Sequence, residues 1–190
     1  MLPSILKRSL NKRFLQKQIK PIKRPATNLK AAKWIGILFD ASTATTVQTI
    51  LAYKKKLEKQ GKKVDLLAFV NNRTKDLSLD FPFFNNRSIN WRGVPKNEAI
   101  EEFLTRNYDL VFTLCPKVNL SFEYISTLAD ARVKVGPLTK DHSSYDLMIE
   151  TPLDTTIANF IQHVESYLPI IKVPAPKVVV AKSNQLAAVG

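Results

Sequence analysis

A three-layer, Rossmann-like α/β domain with a mainly parallel sheet is the fold class the sequence predicts, and three observations carry it. Between Lys33 and Ile171, short apolar runs alternate with amphipathic stretches, the rhythm of strand and crossover helix. Several of those runs are apolar throughout, as strands covered on both faces are. With 190 residues, of which 45% are apolar, the chain is sized for one domain with its own core plus extensions. The boundaries expected are a basic arm over 1–32, the domain over 33–171 and an extended tail over 172–190.

The elements follow in order. "WIGILF" (34–39) is a buried strand, and "DAST" after it supplies the N-cap of a helix from about Thr43 to Gln60, with Val47, Ile50, Leu51 and Leu57 at helical spacing. Gly61 ends that helix. "VDLLAFV" (64–70) is the second strand, closed by the turn-forming pair Asn71-Asn72. The aromatic stretch 77–93 reads as an irregular loop finishing in a short strand near Ser88 to Trp91, its Phe81, Phe83, Phe84 and Trp91 taken as core lining. "PKNEAIEEFLTRN" opens a helix with Pro at its start and acids in the first turn, burying Ile100, Phe103 and Leu104. "YDLVFTL" (108–114) is a strand, 121–131 a helix, and "RVKVG" and "YDLMIE" are two further strands. Ile157, Phe160, Ile161, Val164 and Leu168 mark the last helix, stopped by Pro169. The tail holds Pro174 and Pro176 in an extended arm, and its run Val178 to Val180 suits strand addition to a sheet edge or to a protein partner.

Charge is partitioned sharply along this plan. Every basic residue before Asp40 (Lys7, Arg8, Lys12, Arg13, Lys17, Lys20, Lys23, Arg24, Lys30, Lys33) precedes the first carboxylate, and Lys172, Lys177 and Lys182 follow the last one. The 16 acidic residues all lie between Asp40 and Ile171, where the basic residues also number 16, so the segments flanking that stretch hold the whole net charge of +13. Cationic arms on a neutral body point to a polyanion: RNA, DNA or an anionic lipid surface.

The lone Cys115 excludes an intrachain disulfide and suits a reducing compartment; two separated histidines leave no zinc-ligand cluster, so no metal is expected. The amino-terminal apolar run, Ile5-Leu6, is too short for a secretory signal, and no stretch of about 18 apolar residues exists. A cytoplasmic protein is expected, although the acid-free start also imitates an organelle transit peptide.

In open parallel sheets ligands bind at the carboxyl ends of the strands. Asp40 there is a base or ribose ligand if the protein is an enzyme, and a helix cap otherwise. Cys115 reads as a buried structural thiol, His142 as a loop histidine with general-base chemistry as its catalytic alternative, and His163 as a surface residue. The turn "DASTATT" lacks the glycines that let a backbone approach a pyrophosphate, and no phosphate-loop lysine motif occurs, so no cofactor is expected.

The blocks "SINWRG" (88–93), "EEFLTRNYDLVFTL" (101–114), "ADARVKVGP" (129–137) and "YDLMIE" (145–150) resemble an uncharacterised bacterial family of small single-lobe Rossmann-like proteins. The layout is also similar to the amino-terminal lobe of heptosyltransferase-type glycosyltransferases. That likeness implies a base at Asp40, but the second lobe, which carries most of the sugar-nucleotide site, is missing.

In a helix of about 100° per residue, Leu2, Ile5, Leu6, Leu10 and Phe14 share one half, as a membrane-surface anchor requires. Arg13 and Lys17 then fall on that same face, while Pro21 and Pro25 prevent a long helix. Such an arm fits phosphates around it better than a flat lipid surface. The expectation is a noncatalytic RNA-binding protein associated with a ribosome or another ribonucleoprotein, its arms neutralising rRNA phosphates. The alternatives are a single-lobe glycosyltransferase-like enzyme using Asp40 and His142, and a peripheral membrane protein anchored by its first turns. A solvated tail without a partner is the plainest reading of the arm.

Overall fold

The computed structural model describes residues 26–72, 79–91, 94–117, 119–139, 144–152 and 154–171. Its elements are β1 (Trp34–Asp40), α1 (Ala44–Lys59), β2 (Lys63–Val70), β3 (Phe83–Asn85), α2 (Glu98–Thr105), β4 (Asn107–Leu114), α3 (Leu120–Leu128), β5 (Asp130–Pro137), β6 (Leu147–Ile149) and α4 (Ile157–Tyr167), followed by a 3-10 turn over Leu168–Ile170. The six strands form one sheet in the order β3-β2-β1-β4-β5-β6, and every neighbouring pair is parallel. All strands therefore begin at one edge, the amino edge, and end at the other, the carboxyl edge.

Strand alternation divides the core in two. Ile35, Ile37 and Phe39 of β1, Leu110, Phe112 and Leu114 of β4, and Val133 and Val135 of β5 pack under Ile50, Tyr53 and Leu57 of α1 and Phe160, Ile161 and Val164 of α4. On the other face, Leu38, Leu67, Phe69, Phe84 and Val111 meet Ile100 and Phe103 of α2 and Phe122 and Ile125 of α3. The result is helix, sheet, helix, as the alternating pattern requires. Lys56 bonds Glu165 at 2.7 Å and ties α1 to α4 on their shared face.

The turns obey local chemistry. Thr43 caps α1, its hydroxyl accepting from the Thr46 amide at 3.3 Å. At the far end, the Gly61 amide donates to the Glu58 carbonyl and the Lys62 amide to the Leu57 carbonyl, with Gly61 at φ 77°. These two bonds make a Schellman motif, in which only glycine takes the left-handed residue without strain.

Several sequence expectations are corrected, among them the helix expected over 121–131, which ends at Leu128 so that Asp130 and Ala131 open β5. The strand after the aromatic loop is Phe83–Asn85, not Ser88 to Trp91; the latter stretch enters a small hairpin bridged at Ile89 and Pro95. The α2 helix has no Pro at its first position, because Pro95 sits in that bridge and Asn97 is the cap, accepting from the Ile100 amide at 3.0 Å. Glu98 and Glu101 do stand in its first turn. Of the four aromatics, Phe84 is buried, Phe81 and Phe83 pack half-buried against the α1-side core, and Trp91 is 61% exposed.

Candidate functional site

The strand order reverses between β1 and β4, and the carboxyl edge at that point is where open parallel sheets form their ligand crevice. Asp40 closes β1 at this point, half-buried, and its Oδ1 accepts the Ser42 amide at 2.8 Å. It therefore shapes the turn ahead of α1, and the cap proper is Thr43. Ser42 Oγ in turn accepts the Asn71 amide at 3.1 Å and links the ends of β1 and β2.

Across the crevice, Cys115 follows β4, buried, its thiol donating to the Lys117 carbonyl at 3.1 Å. Burial pushes this thiol up to about 11, and the Asp40 carboxylate pushes it the same way. A thiol so held is neutral near pH 7 and a poor nucleophile.

Beside the crevice, an asparagine ladder joins β2 to β3. Asn86 Nδ2 donates to Asn71 Oδ1 at 2.8 Å, and Asn85 Nδ2 to Asn72 Oδ1 at 3.2 Å. The ladder satisfies polar groups where two strands end, which is a structural use of these amides. Toward β5, Gly136 leaves room for the buried ring of Tyr145, and Ser126 and Thr127 of α3 bond the Ser144 carbonyl and hydroxyl at 3.2 Å. Among the described residues, no group of three or more His, Cys, Asp or Glu side chains is placed to hold a metal ion.

Of the site residues the sequence singles out, Asp40, Lys30 and Lys33 fall within the described residues. His142, the arm cations Lys7, Arg8, Lys12, Arg13, Lys17, Lys20, Lys23 and Arg24, and the tail cations Lys172, Lys177 and Lys182 lie outside them. Asp40 is at the carboxyl edge, whereas exposed Lys30 and Lys33 are at the amino edge.

The amino edge is more highly organised than its sequence suggests. The Lys33 and Trp34 amides both donate to Asp109 Oδ2, at 2.7 and 3.0 Å, and Arg132 pairs with the other oxygen at 3.4 Å. Asp65 Oδ2 accepts from Trp34 Nε1 at 3.0 Å, Tyr108 Oη at 3.2 Å and Arg106 Nε at 3.1 Å. Burial raises the Tyr108 phenol above its ordinary range, and the Asp65 charge adds to it. The indole of Trp34 lies against the Lys63 ammonium, 4.9 Å from one ring centroid, and against the Arg106 guanidinium at 4.7 Å. Two cations occupy the ring, so this aromatic at the arm junction is already stacked within the fold.

Lys62 completes the edge by donating to the Lys30 and Ala32 carbonyls at 3.0 and 2.6 Å, fixing the chain where it leaves the arm. Asn28, Leu29 and Lys30 share a cavity of about 610 Å³ with Gln60, Lys62, Leu168 and Pro169, so the segments after the arm and before the tail meet. Nothing in the formal charge balance of the body marks out Lys62, Lys63, Arg106 and Arg132. The run "KKKLEKQGKK" was the available signal, as it places a lysine cluster around one helix end.

A protein-family model matches residues 7–171, which is most of the chain. The chain belongs to DUF6913, a family of unknown function. The DUF6913 match takes in the basic stretch from Lys7 and stops short of the tail. None of the curated proteins matches the chain. Among solved structures, the E. coli heptosyltransferase WaaC with ADP is similar at 12% identity and a TM-score of 0.44, over 75% of this chain and 49% of that one. The DUF6913 chain thus spans about half the length of that transferase. No helix among its described residues is long and apolar enough to cross a membrane.

Proposed function

We propose that the protein is a noncatalytic, cytoplasmic RNA-binding protein, associated with a ribosome or another large ribonucleoprotein, whose cationic arms neutralise rRNA phosphates. The observation that carries this reading is the charge partition: the acid-free segments before Asp40 and after Ile171 hold the full surplus of +13 while the stretch between them is formally neutral. Lysine and arginine without carboxylates bind a phosphate polymer by releasing its counterions, with little readout of sequence. The family match supports it further, because it includes the arm from Lys7 onward with the domain. Phosphate contact rather than base stacking is the mode, since Phe14 is the arm's aromatic and the Trp34 ring is engaged by Lys63 and Arg106.

The test uses the full chain with Lys7, Arg8, Lys12, Arg13 and Lys17 changed together to Gln. Wild-type protein should bind a structured rRNA fragment with log affinity falling linearly in log salt, by about 0.7 to 0.9 per phosphate neutralised. The variant should bind more weakly and with a shallower slope. An unchanged affinity and slope, or a wild-type chain that ignores RNA at low salt, would remove the proposal.

A further inference from the structure

The amino edge gathers features that chain order keeps apart. In the parallel sheet, β2, β1, β4 and β5 lie side by side; Lys63, Lys33 and Arg106 stand at the starts of β2, β1 and β4, and Arg132 two residues into β5. Three strand spacings of about 4.8 Å put this row across roughly 14 Å. The carboxyl end of α1 reaches the same edge and adds the exposed Lys55 and Lys59.

The carboxylates of this edge are largely paired with neighbouring cations or amides. Asp65 is held by Arg106, Trp34 and Tyr108, and Asp109 by Arg132 and two amides. Glu165 pairs with Lys56 and Glu58 with Lys54. Asp80 and Glu102 line a cavity of about 160 Å³ with Lys54 and Arg106 and bound the row on its β3 side, while Asp130 starts β5 at the other. Between those limits, Lys30, Lys33, Lys55, Lys59 and Lys63 are exposed.

Both extensions also depart from here. Ala26 leads out of the segment clamped by Lys62, and Ile171 follows the 3-10 turn whose Leu168 and Pro169 share a cavity with Asn28 to Lys30. The ten basic residues before Asp40 and the three after Ile171 are thereby joined to the body at one edge.

We infer that the amino edge of the folded body is itself an RNA-binding face, with Lys33, Lys55, Lys59 and Lys63 contacting the sugar-phosphate backbone between the two arms. This rests on the RNA reading above and adds a location: the body meets RNA with its amino edge and turns the carboxyl-edge crevice away. The partner is a phosphate backbone recognised by charge and spacing, since the aromatic within the row, Trp34, is already engaged by Lys63 and Arg106.

The experiment compares two full-length variants carrying the same charge change. One has Lys33→Glu, Lys55→Glu and Lys59→Glu at the amino edge; the other has Arg87→Glu, Lys96→Glu and Lys117→Glu, on segments that follow the strands or open α2 toward the carboxyl edge. Both are measured on one RNA hairpin at about 0.15 M salt, with thermal melts to show that each is folded, and Lys→Gln sets replace any that is not. The amino-edge variant should bind at least about tenfold more weakly than the other, with a salt slope lower by about two units. Equal weakening of the two variants overturns the inference while leaving the arm-based function standing. Failure of the wild-type chain to bind the hairpin at low salt overturns the function itself. Loss of binding to phosphatidylserine vesicles, with binding to the hairpin unchanged, would assign the edge to lipid and also overturn the inference.

Discussion

Gly36 and Gly136 are placed by their neighbours rather than by their backbones. A Cβ on Gly36 would lie 2.7 Å from Phe103 Cζ and 3.2 Å from Tyr108 Cε1, and one on Gly136 would overlap the Tyr145 ring. These rings are buried and cannot swing aside, so Gly36→Ala and Gly136→Ala should each cost about 1–3 kcal/mol in urea unfolding. Near-neutral melts for both would show that the sheet and helices separate more easily than the packing implies. Cys115 gives a pH-dependent counterpart. Its folded-state value of about 11 against an ordinary 9.0 means that the folded chain favours the protonated thiol. That contribution is fully present below pH 9 and is lost as pH rises through 11, and two units correspond to about 2–3 kcal/mol. Cys115→Ala should therefore lose less stability between pH 8.5 and 11 than wild type does, as urea titrations at the two pH values would reveal. Equal losses would place the thiol in water. The sequence already read Cys115 as a buried structural thiol, from the apolar strand before it. The role of Asp40 was less legible, because an acid before a helix suits a cap or a turn equally, and Thr43 took the cap.

At the scale of elements, strong periodicity was readable and short edges were not. The last helix announces itself through five apolar positions on one face, and Phe160, Ile161, Val164 and Leu168 are buried as that spacing requires. The strand β3 has three residues and lies at the sheet margin, where "PFFNN" offers no alternation, so its pairing with β2 is decided by tertiary contact. The stretch after it, expected as a strand near Ser88 to Trp91, instead bridges Ile89 to Pro95 and leaves Trp91 exposed. The end of α1 was legible from Gly61 alone. Because that residue sits at φ 77° with open space around it, Gly61→Ala should cost about 1 kcal/mol through backbone strain, without a clash. The measurement is a thermal melt beside Gln60→Ala, which lacks the positive φ and should be near neutral. Equal effects of the two changes would show that the Schellman turn is not what ends the helix.

For the whole molecule, the fold class was recoverable because alternating strands and helices admit few arrangements, and a parallel sheet covered on both faces is the common one. The separation of charge between arms and body was also visible in one dimension. The gathering of Lys33, Lys63, Arg106 and Arg132 was not, since only the parallel register brings residues so far apart in sequence onto one edge. Formal neutrality of the body hid it: the acids at that edge are largely spent on internal pairs, while several lysines are left facing water.

The meeting of the segments beside the two extensions, around the cavity shared by Asn28 and Pro169, has a practical corollary. A purification tag, fluorophore or sensor-chip tether joined directly at Ala26 or at Ile171, in place of an extension, would be anchored beside the same rim and compete for whatever docks there. A handle belongs instead at the carboxyl edge, on an exposed residue such as Arg87, which follows β3.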